Sequence, residues 1–175
     1  MALEVEDGTG KSNAESYISV SDCETYLTNR GMTNFTGLAT TPLKEAALRR
    51  AMRWIEFNFR TQWRGRRAHE GQALAWPRYG VNDQDGWRIS HEEIPQALKD
   101  ATCEAAEREA DEAGSLSPDL ERGGATKEES SQVGPIKETK VYFDRASNTK
   151  RFPIVEAMLE PFVQDMGGSV ATYRT

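Results

Sequence analysis

The sequence predicts a mainly α fold: a small helical bundle of about four helices with a short β-hairpin or extended arm inserted, and extended N- and C-terminal segments. Three observations predict it. Apolar residues recur at steps of three and four through 44–60 and again through 94–105. Helix-opening prolines stand at Pro42, Pro95 and Pro153. The stretch 132–144 gathers β-branched and aromatic residues (Val133, Ile136, Val141, Tyr142, Phe143) around Gly134-Pro135.

Residues 1–18 are polar and glycine-bearing, which predicts an N-terminal arm ending in Ser16-Tyr17-Ile18. Gly8-Thr9-Gly10-Lys11-Ser12 ends like a phosphate-binding loop, but Val5 stands where that motif needs a glycine and too few residues precede it to form a buried strand. Ser19 as N-cap, with Val20, Cys23 and Leu27 at helical spacing and Gly31 as the stop, predicts a helix over 20–30. Thr41-Pro42 opens a second helix to about Arg60, with Leu48, Met52, Ile55 and Phe59 on one face, broadened by Ala47, Ala51 and Trp54. Its other face shows Arg49, Arg50 and Arg53.

Asp85-Gly86 reads as a tight turn between short extended pieces 79–81 and 87–89. The same stretch imitates a calcium loop at Asp83, Asp85, Gly86 and Glu92, but Val81 occupies the first ligand position and cannot ligate. A third helix over 93–113 carries Ile94, Ala97, Leu98, Ala101 and Ala105 inward and predicts an acidic outer face of Glu104, Glu107, Glu109, Asp111 and Glu112. Pro153 opens a last short helix with Val155, Met158, Leu159 and Phe162. The resulting division is an N-terminal arm over 1–18, a helical core over 19–114 containing a Trp/Arg-rich loop at 60–90, a flexible or extended β arm over 115–151, and a C-terminal helix and tail over 152–175.

That loop is the most unusual stretch. It holds Trp63, Trp76 and Trp87, the tripeptide Trp76-Pro77-Arg78, and Arg60, Arg64, Arg66 and Arg67 within eight residues. Disordered segments are poor in large aromatics, so an ordered loop is expected, packed on its own helices with arginines outward. Arginines among Trp63, Trp76 and Tyr79 could grip a single strand, with bases on rings and guanidinium groups on phosphates. Alternatively the tryptophans plug the bundle and the arginines stack on them or pair with carboxylates of a neighbour. The net charge of −6 favours the second reading, because an acidic protein repels a polyanion outside such a patch.

Charge is segregated along the chain. From Lys44 to Arg67 eight basic residues face two acidic ones, and from Glu92 to Glu112 eight acidic residues face two basic ones. Either these faces are solvated or paired within one subunit, or the basic flank of one subunit meets the acidic flank of the next in a heterologous, ring-forming contact. The interface residues expected from the second possibility are Arg60, Arg64, Arg66, Arg67 and Arg78 against Glu104, Glu107 and Asp111. Trp63, Trp76, Pro77 and Trp87 are expected to brace the loop.

No catalytic constellation emerges. His69 and His91 are outside any H-E-x-x-H, G-x-S-x-G or Cys-His setting, and the acidic residues lack His or Cys companions for a transition metal. A non-enzyme with no metal and no cofactor is therefore expected. Cys23 and Cys103 fall in separate predicted helices and are expected to stay reduced. The apolar runs are too short to span a bilayer and the N-terminus is acidic where a signal peptide is basic, so cytosolic synthesis and no membrane partner are expected.

Taken together, Glu6 to Gly10 (EDGTG), Ser16 to Val20 (SYISV), Lys44 to Ala51 (KEAALRRA), Trp63 to Arg67 (WRGRR), Gln72 to Arg78 (QALAWPR), Glu93 to Thr102 (EIPQALKDAT) and Val133 to Ile136 (VGPI) resemble a family of bacteriophage proteins. That family is described as DnaT-like single-stranded-DNA-binding, and its members resemble head-to-tail connector, or adaptor, proteins of long-tailed phages. The resemblance implies a mainly helical subunit, assembled with copies of itself into a ring, commonly twelvefold, in the virion neck. Its partners there would be the portal protein and a tail completion or stopper protein, with DNA at most passing through and the C-terminal tail as a docking segment. Resemblance to the single-strand binders implies instead a replication accessory role. The Ser- and Glu-rich stretch 115–131 and the stretch 137–151 depart from the connector pattern.

Overall fold

A computed structural model describes residues 2–117 and 151–164, together with the backbone of 128–133 and 136–141. Most of the expected β arm and the C-terminal tail lie outside the described residues. Four helices follow in order: α1 (Val20–Thr28), α2 (Thr41–Phe59), α3 (Gln96–Asp111) and α4 (Pro153–Leu159), the last running into a 3-10 turn, Glu160–Phe162. Between α2 and α3 the two-residue strands β1 (Arg66–Arg67) and β2 (Arg78–Tyr79) pair antiparallel, and after α3 a hairpin pairs β3 (Glu128–Val133) with β4 (Ile136–Val141). The fold is mainly α with small β-hairpins, as the periodicity predicts.

Helix α1 starts where the Ser19 hydroxyl accepts the Asp22 N–H at 3.1 Å, and it turns Cys23, Tyr26 and Leu27 inward. Helix α2 buries Ala47, Leu48, Ala51, Met52, Trp54, Ile55 and Phe59, the stripe that its sequence spells. Pro95 stands just ahead of α3 rather than inside its first turn, so that helix begins three residues later than expected.

Helix α3 corrects a larger expectation. It packs against α1, α2 and α4 at once, so residues Ala101 through Glu107 are buried without a break, and Glu109 with them. Small side chains at Ala101, Ala105 and Ala106 let three helices approach closely. Glu104, Glu107 and Glu109 are therefore interior groups, not an acidic outer face. Buried carboxylates need hydrogen-bond partners, and each has them. Glu107 accepts the Asn34 and Phe35 N–H groups, both at 2.9 Å, which ties down the connection between α1 and α2. Glu109 accepts the Gly114 and Leu116 N–H groups and pairs with Arg50 at 2.7 Å, while Glu104 pairs with Arg108 at 3.0 Å.

The N-terminal residues also fold back instead of extending. Val5 bridges Ser16, and the 1 % exposed Glu6 carboxylate accepts the N–H groups of Gly8 and Gly10 at 2.9 Å and of Lys11 at 2.8 Å. Residues 8–11 thus do resemble a phosphate loop mechanically: successive N–H groups surround an anion. The anion is the chain's own carboxylate.

Aromatic rings join the end of α2, the following loop and the C-terminal turn. Phe59 meets Trp63 at 5.9 Å between ring centroids, Trp63 meets Trp76 edge-on at 6.4 Å, and Trp76 meets Phe162 edge-on at 5.4 Å. Trp63 is 4 % exposed and Trp76 fully buried, whereas Trp87 is 75 % exposed and plugs nothing. Replacing Trp76 with Ala should cost about 3–5 kcal/mol of stability in urea unfolding, the usual range for a buried large aromatic. Trp87→Ala should shift stability by no more than about 0.5 kcal/mol, as exposed substitutions do. Equal losses at the two positions would contradict this assignment of the core.

Candidate nucleic-acid interface

Helix α2 turns its apolar stripe inward, and Phe57 does not belong to that stripe. It stands on the opposite face with Arg53 four residues before and Arg60 three after, so the three side chains share one surface. Phe57 is 80 % exposed. Arg67 comes to the same surface from β1, and an open cleft of about 300 Å³ is lined by Arg53, Glu56, Phe57, Arg60 and Arg67.

The position of Arg67 depends on how the loop after α2 is held. Gly65 has φ +67°, and a Cβ there would stand 2.1 Å from the Tyr79 carbonyl oxygen, so the close pairing of β1 with β2 requires glycine. The buried Arg78 guanidinium donates to three backbone carbonyls, of Arg64 at 2.6 Å, Gly65 at 2.8 Å and Ala75 at 3.1 Å. Its burial lowers its pKa from the ordinary arginine value. The Gln72 side chain accepts the His69 N–H at 2.9 Å and donates to the Leu74 and Pro77 carbonyls.

Glu56 forms the floor of the cleft. Its carboxylate accepts the Tyr17 hydroxyl at 2.6 Å and the Ala75 N–H at 3.0 and 3.1 Å to its two oxygens. The Tyr17 oxygen in turn accepts the Trp76 N–H at 3.1 Å. Burial raises the pKa of Glu56 above its usual value, against the lowering pull of these hydrogen bonds and of the Arg67 and Arg78 charges. Burial also pushes the Tyr17 phenol well up, so it remains the proton donor of the pair.

The basic residues of 44–67 divide sharply. Arg49 pairs with Glu15 at 2.8 Å, Arg50 with Glu109, and Lys44 with Glu24, so the helix charges are largely matched inside the chain. Among the described residues no carboxylate lies within ion-pair distance of Arg53, Arg60 or Arg67. Of the expected interface arginines, Arg60 and Arg67 therefore come together in the cleft. Arg64 is exposed and donates to the Pro161 carbonyl, and Arg66 lies 5.4 Å over the Tyr79 ring, which stacks on His91 at 4.2 Å. Arg78 is a buried staple rather than a presented interface residue: it is 9 % exposed and holds three backbone carbonyls of the loop. Glu104 and Glu107 likewise cannot reach a neighbour. Asp111, at the end of α3, is exposed.

Sequence reasoning placed Arg53 on the outer face but missed Phe57 and Glu56. The signal existed: Phe57 interrupts the apolar spacing of Leu48, Met52, Ile55 and Phe59, and an off-stripe aromatic between two arginines marks an exposed ring. The expected turn at Asp85-Gly86 is present. The Asp83 carboxylate accepts the Asp85 N–H at 3.0 Å and the Trp87 N–H at 2.8 Å, and Asn82 bridges Arg88. Among the described residues no three His, Cys, Asp or Glu side chains gather as a metal site, and no helix is long and apolar enough to cross a membrane.

A family model described as "Putative DnaT-like ssDNA binding protein" matches residues 1–175. Neither a curated protein nor a solved structure matches the chain.

The raised pKa of Glu56 has a definite sign in stability. The folded state holds that proton to higher pH than the unfolded chain, so the contribution is present below the ordinary carboxylate value of 4.5 and is lost as pH rises through the raised one. The stability difference between the wild type and Glu56→Gln, from urea midpoints at acid to neutral pH, should therefore fall with rising pH and then level off. Parallel pH profiles for the two proteins would contradict the burial of this carboxylate.

Proposed function

The chain belongs to the DnaT-like single-stranded-DNA-binding family, and from that membership we propose that it binds single-stranded DNA in the cleft between α2 and β1. One observation carries the proposal: an almost fully exposed Phe57 ring stands among three arginines that have no carboxylate partner within ion-pair distance among the described residues. A single strand needs both components. Unstacked bases lie on aromatic faces, and guanidinium groups meet phosphates along the backbone. Recognition of this kind is tolerant of sequence, because every base has a π-face. The role is binding, with no catalytic step and no cofactor.

The net charge of −6 opposes a polyanion everywhere else, so the interaction should be local and strongly salt-dependent. Fluorescence anisotropy with labelled oligothymidylate tests it. Replacing Arg53, Arg60 and Arg67 together with Ala should reduce the slope of log affinity against log salt by about 2, at roughly 0.7 per single-strand phosphate contact. Phe57→Ala should cost about 1–3 kcal/mol of binding, the range for loss of one base–aromatic stack. Binding unaffected by either change would refute this site.

A second reading is favoured by a separate observation. Among the described residues, Leu43, Phe57, Trp87 and Ile154 are large apolar side chains left 49 to 80 % exposed. Covering such side chains with a partner would remove apolar surface from water, which is favourable. On this reading the protein is a head-to-tail connector of a long-tailed phage, made in the host cytoplasm and assembled as a ring in the virion neck between the portal and tail completion proteins. Micrographs of mixtures with portal protein should then show rings of this chain, and purified particles should contain it. Particles without it would exclude the connector role.

A further inference from the structure

We propose that copies of this chain associate through two different patches, the Trp87 turn of one copy seated in the Arg53–Phe57–Arg60–Arg67 cleft of the next. The proposal deepens the assembly reading above and rests on it, not on DNA binding. Each half is on the surface of the same molecule. Trp87 is 75 % exposed, and it is presented by a turn whose backbone is closed by its own hydrogen bonds. Asp83 accepts the Asp85 and Trp87 N–H groups with its carboxylate, donates its own N–H to the Trp87 carbonyl at 2.8 Å, and accepts the Gly86 N–H at 3.2 Å with its carbonyl. With the backbone of the turn already held, the projecting indole gives up only side-chain freedom on docking, as suits an interface anchor.

Shape and charge commit the occupant. The cleft offers an exposed aromatic ring for an indole to pack against, with three arginines against the single carboxylate of Glu56. The turn carries Asp83 and Asp85 close to Trp87, against Arg88 alone, so an acidic, aromatic tip faces a basic, aromatic recess. Indole against Phe57 and guanidinium groups is favourable stacking, and the aspartates at the rim would set the register. Because knob and cleft are different patches, the contact is heterologous: a pair retains one free knob and one free cleft, and assembly continues, into a ring where the rotation closes and a filament where it does not. An indole and a base would draw on the same Phe57 ring and arginines. Assembly and single-strand binding therefore compete for Phe57.

Sedimentation velocity on the full chain, at low salt and rising concentration, tests the contact with two exposed-residue variants whose folding is checked by circular dichroism. Wild type should form species beyond the dimer, dispersed by salt. Trp87→Ala, which lacks the knob, and Phe57→Ala with Arg60→Glu, which lacks the recess, should each weaken association by roughly 30-fold or more, the loss expected for a buried tryptophan anchor. An equimolar mixture of the two variants should form a one-to-one dimer and nothing larger, since one knob and one recess remain between them. A wild type that stays monomeric, variants that assemble normally, or a mixture that stays monomeric would each overturn the proposal. Oligothymidylate binding by Trp87→Ala keeps the two ideas apart: it should be retained if the cleft takes single strands, and its absence from wild type as well would remove the DNA reading while leaving the self-contact standing.

Discussion

The Glu56 carboxylate is where three separate parts of the chain meet. It belongs to α2, it accepts the Tyr17 hydroxyl from the N-terminal segment, and it accepts the Ala75 N–H from the arginine-rich loop. Tyr17 extends the junction by accepting the Trp76 N–H. A charge in that position is costly to bury unless every lone pair is used, so the site tolerates one arrangement of the loop and few others. That arrangement brings the Arg67 side chain to the cleft lined by Arg53, Phe57 and Arg60. The cleft is thus a consequence of the junction.

Around it, the molecule distributes its stabilising interactions in two ways. The rings of Phe59, Trp63, Trp76 and Phe162 supply apolar burial between α2, the loop and the C-terminal turn. The indole N–H groups of Trp63 and Trp76 are buried without an acceptor among the described residues, which leaves ring packing to hold them. Elsewhere glutamates replace backbone partners that the short elements cannot supply. Glu6 gathers residues 8–11, Glu107 holds the connection after α1, and Glu109 closes the turn after α3. Charge-assisted bonds to N–H groups are among the stronger hydrogen bonds available, which suits a chain whose hydrophobic share is only 37 %.

This distribution explains what was legible in the sequence. Helical periodicity, caps and prolines located all four helices, because those signals depend on neighbours within one or two turns. The Trp/Arg-rich loop was legible as an ordered one, and Trp63 and Trp76 as its braces. The buried glutamates were not, because Glu104, Glu107 and Glu109 look in sequence like any solvated helix face. Only the packing of α3 between three other helices, and the N–H groups that reach it from distant segments, takes them inside. The N-terminal segment misled in a related way: its composition reads as an arm until Glu6 is seen to organise it. Phe57 was visible as an aromatic off the buried stripe, yet its meaning depended on Arg67 arriving from another element.

The account therefore rests on one claim, that the junction at Glu56 assembles the basic aromatic cleft that we propose takes single-stranded DNA. The most direct measurement is a titration of isotope-labelled protein with short oligothymidylate at low salt, followed through the side-chain resonances of its arginines and phenylalanines by nuclear magnetic resonance. The account predicts that Arg53, Arg60, Arg67 and the Phe57 ring shift together while Arg50 and the buried Arg78 do not. Shifts centred elsewhere, or none at any concentration, would contradict it.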